Sequence, residues 1–274
     1  MRSLRYLAAL APLPLIAACA DAPVSSLSSK LPNAPTFIVN GVPTGSAFGN
    51  VGAVAFDFNG NGVIQGTEFI CSGSLIAPTV FLTGAHCLSF LPATAQLGVT
   101  FGPNLLANGL TMVLAQSFAF DPAFGHDNAN PHDIGVVIIP SQSITPVQLP
   151  PAGYLDQRAA KNGLKDQIFL NVGYGASASR TGPPAFPIDF LRRVSESPFQ
   201  SLRPEWLVLK MNTSATGLGG DCYGDSGSPK FVQGTNLAVA ITVTGDAVCR
   251  ATSVDYRLDT PSARSFLSAY VTLP

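Results

Sequence analysis

An all-β fold is predicted by three observations: short interrupted apolar runs, abundant turn formers and few charges. Glycine and proline number 26 and 23 in 274 residues, a density that suits many turns and short strands better than long helices. Charged residues make up 11%, against roughly 25% in an average soluble protein. The formal net charge is −1, so nothing electrostatic points to nucleic acid or an anionic surface. The length suffices for one large or two modest domains with a real core.

Residues 1–20 read as an export signal outside the fold. Arg2 and Arg5 give a positive start, Leu7 to Ala18 is apolar, and Pro12 and Pro14 oppose a stable spanning helix. Ile16-Ala17-Ala18-Cys19 also resembles a bacterial lipobox, in which Cys19 is lipidated and becomes the mature N-terminus. Ordinary cleavage after Ala18-Cys19-Ala20 fits the small-x-small pattern as well. Residues 21–37, rich in Ser, Pro and Ala, read as a linker or pro-segment.

The folded part begins at Ile38-Val39-Asn40-Gly41. Val51 to Phe58 and Glu68 to Ile76 read as partner strands, and Val80 to Thr83 as a short buried strand ending at Gly84-Ala85-His86-Cys87. The intervening stretch, with Asp57, Asn59, Asn61, Gly62 and Glu68, matches a calcium-loop template. Its flanks read as strands, and asparagines lower its charge, so an Asn-Gly hairpin loop competes with the metal reading. No other cofactor is expected. Further short strands lie between Leu97 and Phe120, and Ile134 to Ile139 forms an apolar run behind Asp133. Pro140 to Gly163 reads as a linker. Strands then follow at Gln167–Val172, Arg192–Ser197, Trp206–Met211 and Leu237–Thr244. Asp259-Thr260-Pro261-Ser262 caps a last helix whose apolar face is Phe266, Leu267 and Tyr270.

Five cysteines are present, and removal of Cys19 leaves an even four, as suits an oxidising compartment. Cys71, Cys87, Cys222 and Cys249 allow three pairings, among which spacing does not choose.

The chemistry centres on Gly219-Gly220-Asp221-Cys222-Tyr223-Gly224-Asp225-Ser226-Gly227-Ser228-Pro229. Glycines on both sides of one serine permit a turn that holds its hydroxyl outward. Alone, this is equally a polar turn. A serine nucleophile needs a neighbouring base, and imidazole can take its proton and return it to the leaving group. His86 directly follows a buried strand, whereas His126 and His132 lie in polar loop sequence and read as solvated. Asp133, at the mouth of an apolar run, can accept the second ring N–H and fix the tautomer. The N–H groups of Gly224 and Ser226 would meet a tetrahedral oxyanion.

Three motifs in register, Thr83-Gly84-Ala85-His86-Cys87, Asp133-Ile134-Gly135-Val136 and Gly224-Asp225-Ser226-Gly227, resemble the trypsin/chymotrypsin-like serine proteases. They follow in the order His, Asp, Ser at separations of 47 and 93 residues. Cys71-Ser72-Gly73-Ser74-Leu75-Ile76 resembles the family's strand before the histidine, and Ile38-Val39-Asn40-Gly41 its mature N-terminus. The resemblance, to an exported bacterial member, implies two six-stranded antiparallel β-barrels, over residues 38–145 and 146–274, with a C-terminal helix. It implies the pairings Cys71–Cys87 and Cys222–Cys249, and a serine endopeptidase with His86, Asp133 and Ser226 as its triad. It also implies a cut before Ile38 whose new ammonium meets Asp225. Phe37 makes that cut unsuited to a trypsin-like activator. The specificity pocket falls on Gly220, Asp221, Val243, Gly245 and Val254. Asp221 favours a basic side chain there, whereas Val254 narrows the pocket towards small or medium ones. The expected partners are a polypeptide substrate and an activating protease, the membrane being met only through lipid on Cys19. A monomer that is periplasmic, anchored at the outer membrane or secreted is expected.

Overall fold

Alternation of apolar side chains drives two antiparallel sheets that share one core. The computed structural model describes residues 37–125, 131–178 and 183–274. Expectations for residues 1–36, Cys19 among them, and for His126 lie outside the described residues. Among the described residues no helix is long and apolar enough to cross a membrane.

The first sheet comprises β2 (Val51–Phe56), β3 (Phe69–Ala77), β4 (Val80–Thr83), β5 (Leu97–Thr100), β6 (Val113–Leu114), β7 (Ser117–Phe120) and β8 (Gly135–Ile138), in the order β6-β5-β2-β3-β4-β8-β7. Its two outer strands belong to one bent segment. The Ala115 N–H donates to Leu97 on one side and the Gln116 N–H to Ile138 on the other. The segment thus hands over from β5 to β8, and the sheet curls round without a direct β6–β7 ladder. Relative to the expected six-stranded barrel, this is a curled seven-strand sheet.

The second sheet is a closed barrel of six strands. These are β9 (Ile168–Gly173), β10 (Arg193–Leu202), β11 (Trp206–Lys210), β12 (Pro229–Val232), β13 (Ala238–Gly245) and β14 (Thr252–Arg257). The order β9-β10-β11-β14-β13-β12 returns to β9, and β1 (Val42–Pro43) adds to the edge of β10. The loop-like reading of 140–163 misses a short helix, Tyr154–Ala159, anchored where Asp259 accepts the Leu155 N–H at 2.7 Å. β12 and β14 were also outside the expected strands, because charged Lys230 and Asp255 interrupt their apolar pattern. The C-terminal helix is Pro261–Leu267, with Thr260 as its cap and Ala263 and Leu267 buried.

Both sheets contribute to one apolar cluster, with Val51, Leu82 and Val136 from the first and Val172, Trp206 and Phe231 from the second. Polar ties cross the same seam. Arg192, 1% exposed, donates to the carbonyls of Val51 and Phe101 in the first sheet's half, and to those of Gly45 and Ala47 before β2. Among the described residues it meets no carboxylate. Tyr174 donates its hydroxyl to Gly102 at 2.8 Å. Burial pushes the Tyr174 phenol up to about 12, partly offset by the Arg192 guanidinium.

The calcium-template residues form the β2–β3 hairpin loop. The Asp57 carboxylate accepts the N–H groups of Gly60, Asn61 and Gly62. Glu68 accepts the Asn59 amide and the Gln65 N–H, and the Asn61 side chain accepts from Val63. The loop's oxygen ligands are therefore all engaged by its own donors.

Candidate active site

β4 delivers His86 on a short 3-10 turn, Ala85–Cys87, and the disulfide Cys71–Cys87 ties that turn to β3. Asp133 precedes β8, the strand paired with β4, so the strand register brings the two side chains together. Asp133 is buried, and its two oxygens accept from His86 twice: the backbone N–H at 2.9 Å and ring Nδ1 at 2.7 Å. A carboxylate accepts, so Nδ1 donates, and Nε2, 3.7 Å from the disulfide sulfur of Cys87, which has no proton to give, keeps its lone pair.

The serine loop lies against the same strand ends. The Ser226 carbonyl accepts the Ser72 N–H at 3.0 Å. Gly227 has φ +77°, and a Cβ there would stand 2.3 Å from Thr83 Oγ1 and 2.7 Å from the Gly84 nitrogen. Glycine is required both by the left-handed backbone and by this approach. The residue after Ser226 therefore touches the two residues before Ala85-His86. Among the described residues Ser226 Oγ makes no hydrogen bond to His86 Nε2.

The loop's backbone donors divide into two sets. The N–H groups of Asp225, Gly227 and Ser228 donate to Cys222, Thr242 and Asp225 respectively. Those of Gly224 and Ser226 have no acceptor among the described residues, and these are the pair expected to meet an oxyanion. Gly224, at φ +96°, is turned by this geometry, and its carbonyl accepts the Ser72 hydroxyl at 2.9 Å.

Asp225 is fully buried. Its carboxylate accepts the N–H groups of Gly175 and Cys222, each at 2.9 Å. A Cβ on Gly175 would stand 2.2 Å from that carboxylate, so only glycine fits. Gly175 and Ser72 are site residues that sequence reasoning did not assign, although the paired glycines of Gly173-Tyr174-Gly175 signalled a close approach. Ile38 is buried, and neighbouring Val39 accepts the Gly220 N–H at 3.0 Å, but no Ile38–Asp225 bond forms in the continuous chain. Burial, reinforced by the like charge of Asp221 and only partly offset by the Cys222 and Gly175 N–H groups, pushes the Asp225 carboxyl up to about 8. Asp255 is likewise pushed up to about 7, chiefly by burial.

Both groups hold their protons more tightly in the folded chain than in the unfolded one, where carboxyls titrate near 4. Their stabilising contribution is complete below pH about 4 and drains away as pH rises towards 7 and 8. The melting temperature of the uncut chain is thus expected to fall between pH 5 and pH 8. Asp225→Asn should flatten much of that slope, and a melting temperature rising steadily across the range would contradict the assignment.

The second disulfide is Cys222–Cys249, whose Cα atoms are 5.3 Å apart, and the remaining pocket candidates lie on the serine loop and on β13 and β14. Gly220 packs on Met211, and the Asp221 N–H points at the Met211 sulfur, 3.1 Å away. Val243 sits at the irregularity in the β13–β14 ladder, and Val254 pairs with Val208 and Thr244. Gly245 faces the Thr252 carbonyl. Asp221 is 4% exposed and turned into the interior, where Lys230 pairs with it.

His132 departs from the solvated reading. Its Nδ1 lies 2.8 Å from Asp121 Oδ2, and the ring is half-buried, because the turn into Asp133 folds back on the end of β7. Among the described residues, one group of three ligand-type side chains is close enough for a metal: Cys71, His86 and Cys87. Both its sulfurs are consumed by the disulfide, so it does not fit one.

A family model described as Trypsin matches residues 49–266. Brachyurin from Leptuca pugilator is 31% identical over 210 residues, covering 70% of this chain and 85% of that protein. Among solved structures, a mutant of human heparin binding protein superposes with a TM-score of 0.64 at 18% identity, covering 85% of this chain and 96% of the other. HL collagenase gives 0.62 at 18% identity, covering 86% of this chain and all of the other. The closed barrel, curled sheet and C-terminal helix define a chymotrypsin-like fold. This chain belongs to the trypsin family of serine proteases, a class that acts on polypeptides.

Proposed function

We propose that the chain is an exported serine endopeptidase working through an acyl-enzyme. Ser226 Oγ attacks the peptide carbonyl carbon while His86 Nε2 takes its proton, and Asp133 steadies the resulting imidazolium. The free N–H groups of Gly224 and Ser226 receive the oxyanion. Collapse breaks the C–N bond, and the amine leaves with the proton from Nε2. Water then repeats the sequence on the ester and restores the serine. The observation that carries this reading is the doubly bonded His86–Asp133 pair, with the glycine after Ser226 packed against Thr83 and Gly84 just before that histidine.

Export is supported by the signal-like residues 1–20 and by two disulfides, which persist in oxidising surroundings. If Cys19 carries lipid, a cut before Ile38 would both release the enzyme and give Asp225 an ammonium partner. Asp225 has no such partner in the uncut chain, and this favours a second reading, a zymogen-like or purely binding relative. Labelling with a fluorophosphonate separates the two. Labelling is expected at Ser226 in chains beginning at Ile38, and its absence from such chains would sink the peptidase reading. Casein tested beside a simple ester distinguishes an endopeptidase from a small-ester hydrolase.

A further inference from the structure

Lys230 is the second residue of β12, four residues after Ser226, and is 0% exposed. Its ammonium donates to Asp221 Oδ2 at 2.5 Å and to Thr242 Oγ1 at 2.6 Å, and lies 3.5 Å from Asp255 Oδ1. Ser253 Oγ lies 2.7 Å from both Asp221 Oδ2 and Asp255 Oδ1. A lysine taken wholly out of water needs such partners, since an unpaired buried charge costs several kcal/mol.

The cluster sits directly behind the wall assigned to substrate recognition. Along β14, side chains alternate in direction, so Ser253 and Asp255 face one way and Val254 the other. Thr242, which receives the ammonium, precedes Val243 in β13. Asp221 follows Gly220 in the serine loop, yet its carboxylate lies with Lys230, Ser253 and Asp255 and is 4% exposed. Among the described residues Asp221 Oδ1 and Asp255 Oδ2 have no hydrogen-bond partner, so carboxylate capacity remains in the cluster.

Resting on the peptidase reading, we propose that Lys230 is a specificity-determining residue. It draws the Asp221 carboxylate behind the pocket wall and cancels its charge, so that the pocket accepts uncharged side chains before the scissile bond and rejects lysine and arginine. This resolves the opposing signals of Asp221 and Val254 in favour of Val254.

The test uses the chain beginning at Ile38, peptides differing only at the residue before the scissile bond, and benzamidine as a cationic probe. The unaltered enzyme should cleave after Ala or Leu at least about tenfold better than after Arg. Benzamidine should not bind its Ser226→Ala form in calorimetry at millimolar concentration. Lys230→Met should create benzamidine binding and raise the Arg-to-Leu ratio about 100-fold. The double variant Asp221→Asn, Lys230→Met removes both charges and should return to the original selectivity.

A preference for Arg in the unaltered enzyme, benzamidine binding to its Ser226→Ala form, or a folded Lys230→Met protein without benzamidine binding overturns the proposal. Should Lys230→Met not fold, the arms on the unaltered chain decide. Failure of the peptidase reading is separate: it removes hydrolysis and fluorophosphonate labelling but leaves the benzamidine result legible.

Discussion

Ser226→Ala is expected to lower peptide turnover by about a million-fold while leaving the fold intact. On the proposed mechanism it deletes the only atom that bonds covalently to substrate, and the remaining oxyanion donors and binding surface sustain little turnover. Stability should change by no more than about 0.5 kcal/mol, because the Oγ makes no hydrogen bond among the described residues. The loop is held through main-chain groups instead, by the Ser226 carbonyl on Ser72 and the Gly227 N–H on Thr242. Matched kinetics and thermal melts of both chains, cut before Ile38, check this. Turnover retained above about a tenth of the original would remove Ser226 from the reaction.

Arg192→Met should be the most damaging change outside the reactive centre, costing more than about 4 kcal/mol. The guanidinium satisfies carbonyls at Gly45, Ala47, Val51 and Phe101 and approaches the Thr44 hydroxyl at 3.0 Å. The Val51 carbonyl is buried and the Phe101 carbonyl half-buried, and each such carbonyl left without a donor costs about 1–3 kcal/mol, whereas those of Gly45 and Ala47 lie on exposed residues. Methionine fills the volume but supplies no donor. Arg192→Lys should recover part of the loss, since one ammonium has three donors and no planar fork. Urea midpoints measure both, and a loss below about 1 kcal/mol for methionine would mean that water replaces the guanidinium.

The pairing of His86 with Asp133, and the glycine-flanked loop of Ser226 beside them, were legible because short local motifs carry their spacing. His86 after an apolar strand, Asp133 before one and Ser226 between glycines each declare a position that the strand register then assembles. β2, β4 and β13 were equally clear, since buried β-branched and aliphatic runs leave little alternative. β12 and β14 were not. Lys230 and Asp255 are buried in them as one compensating pair, and Arg257 is paired with Asp259 and with Asp156 on the short helix, partners that the apolar pattern of a single strand does not reveal. For the same reason Asp221 read as a lone recognition carboxylate when its partner stands nine residues on. His132 looked solvated because Asp121, its partner, belongs to another turn. The curling of the first sheet through one bent segment depends on where a strand changes neighbours, and no residue pattern announces that.

The two cross-links divide the molecule unevenly. Cys71–Cys87 stiffens the half that carries His86, and Cys222–Cys249 the half that carries Ser226. Neither joins one half to the other. The seam is held by apolar packing, by Arg192 and Tyr174, and by the Ser72 contacts with Ser226 and Gly224. On the proposed mechanism, the residues that act together are therefore brought into contact by two stapled bodies. Among the described residues no disulfide crosses that contact, so on the proposed mechanism small slippage there would silence hydrolysis while each half kept its shape.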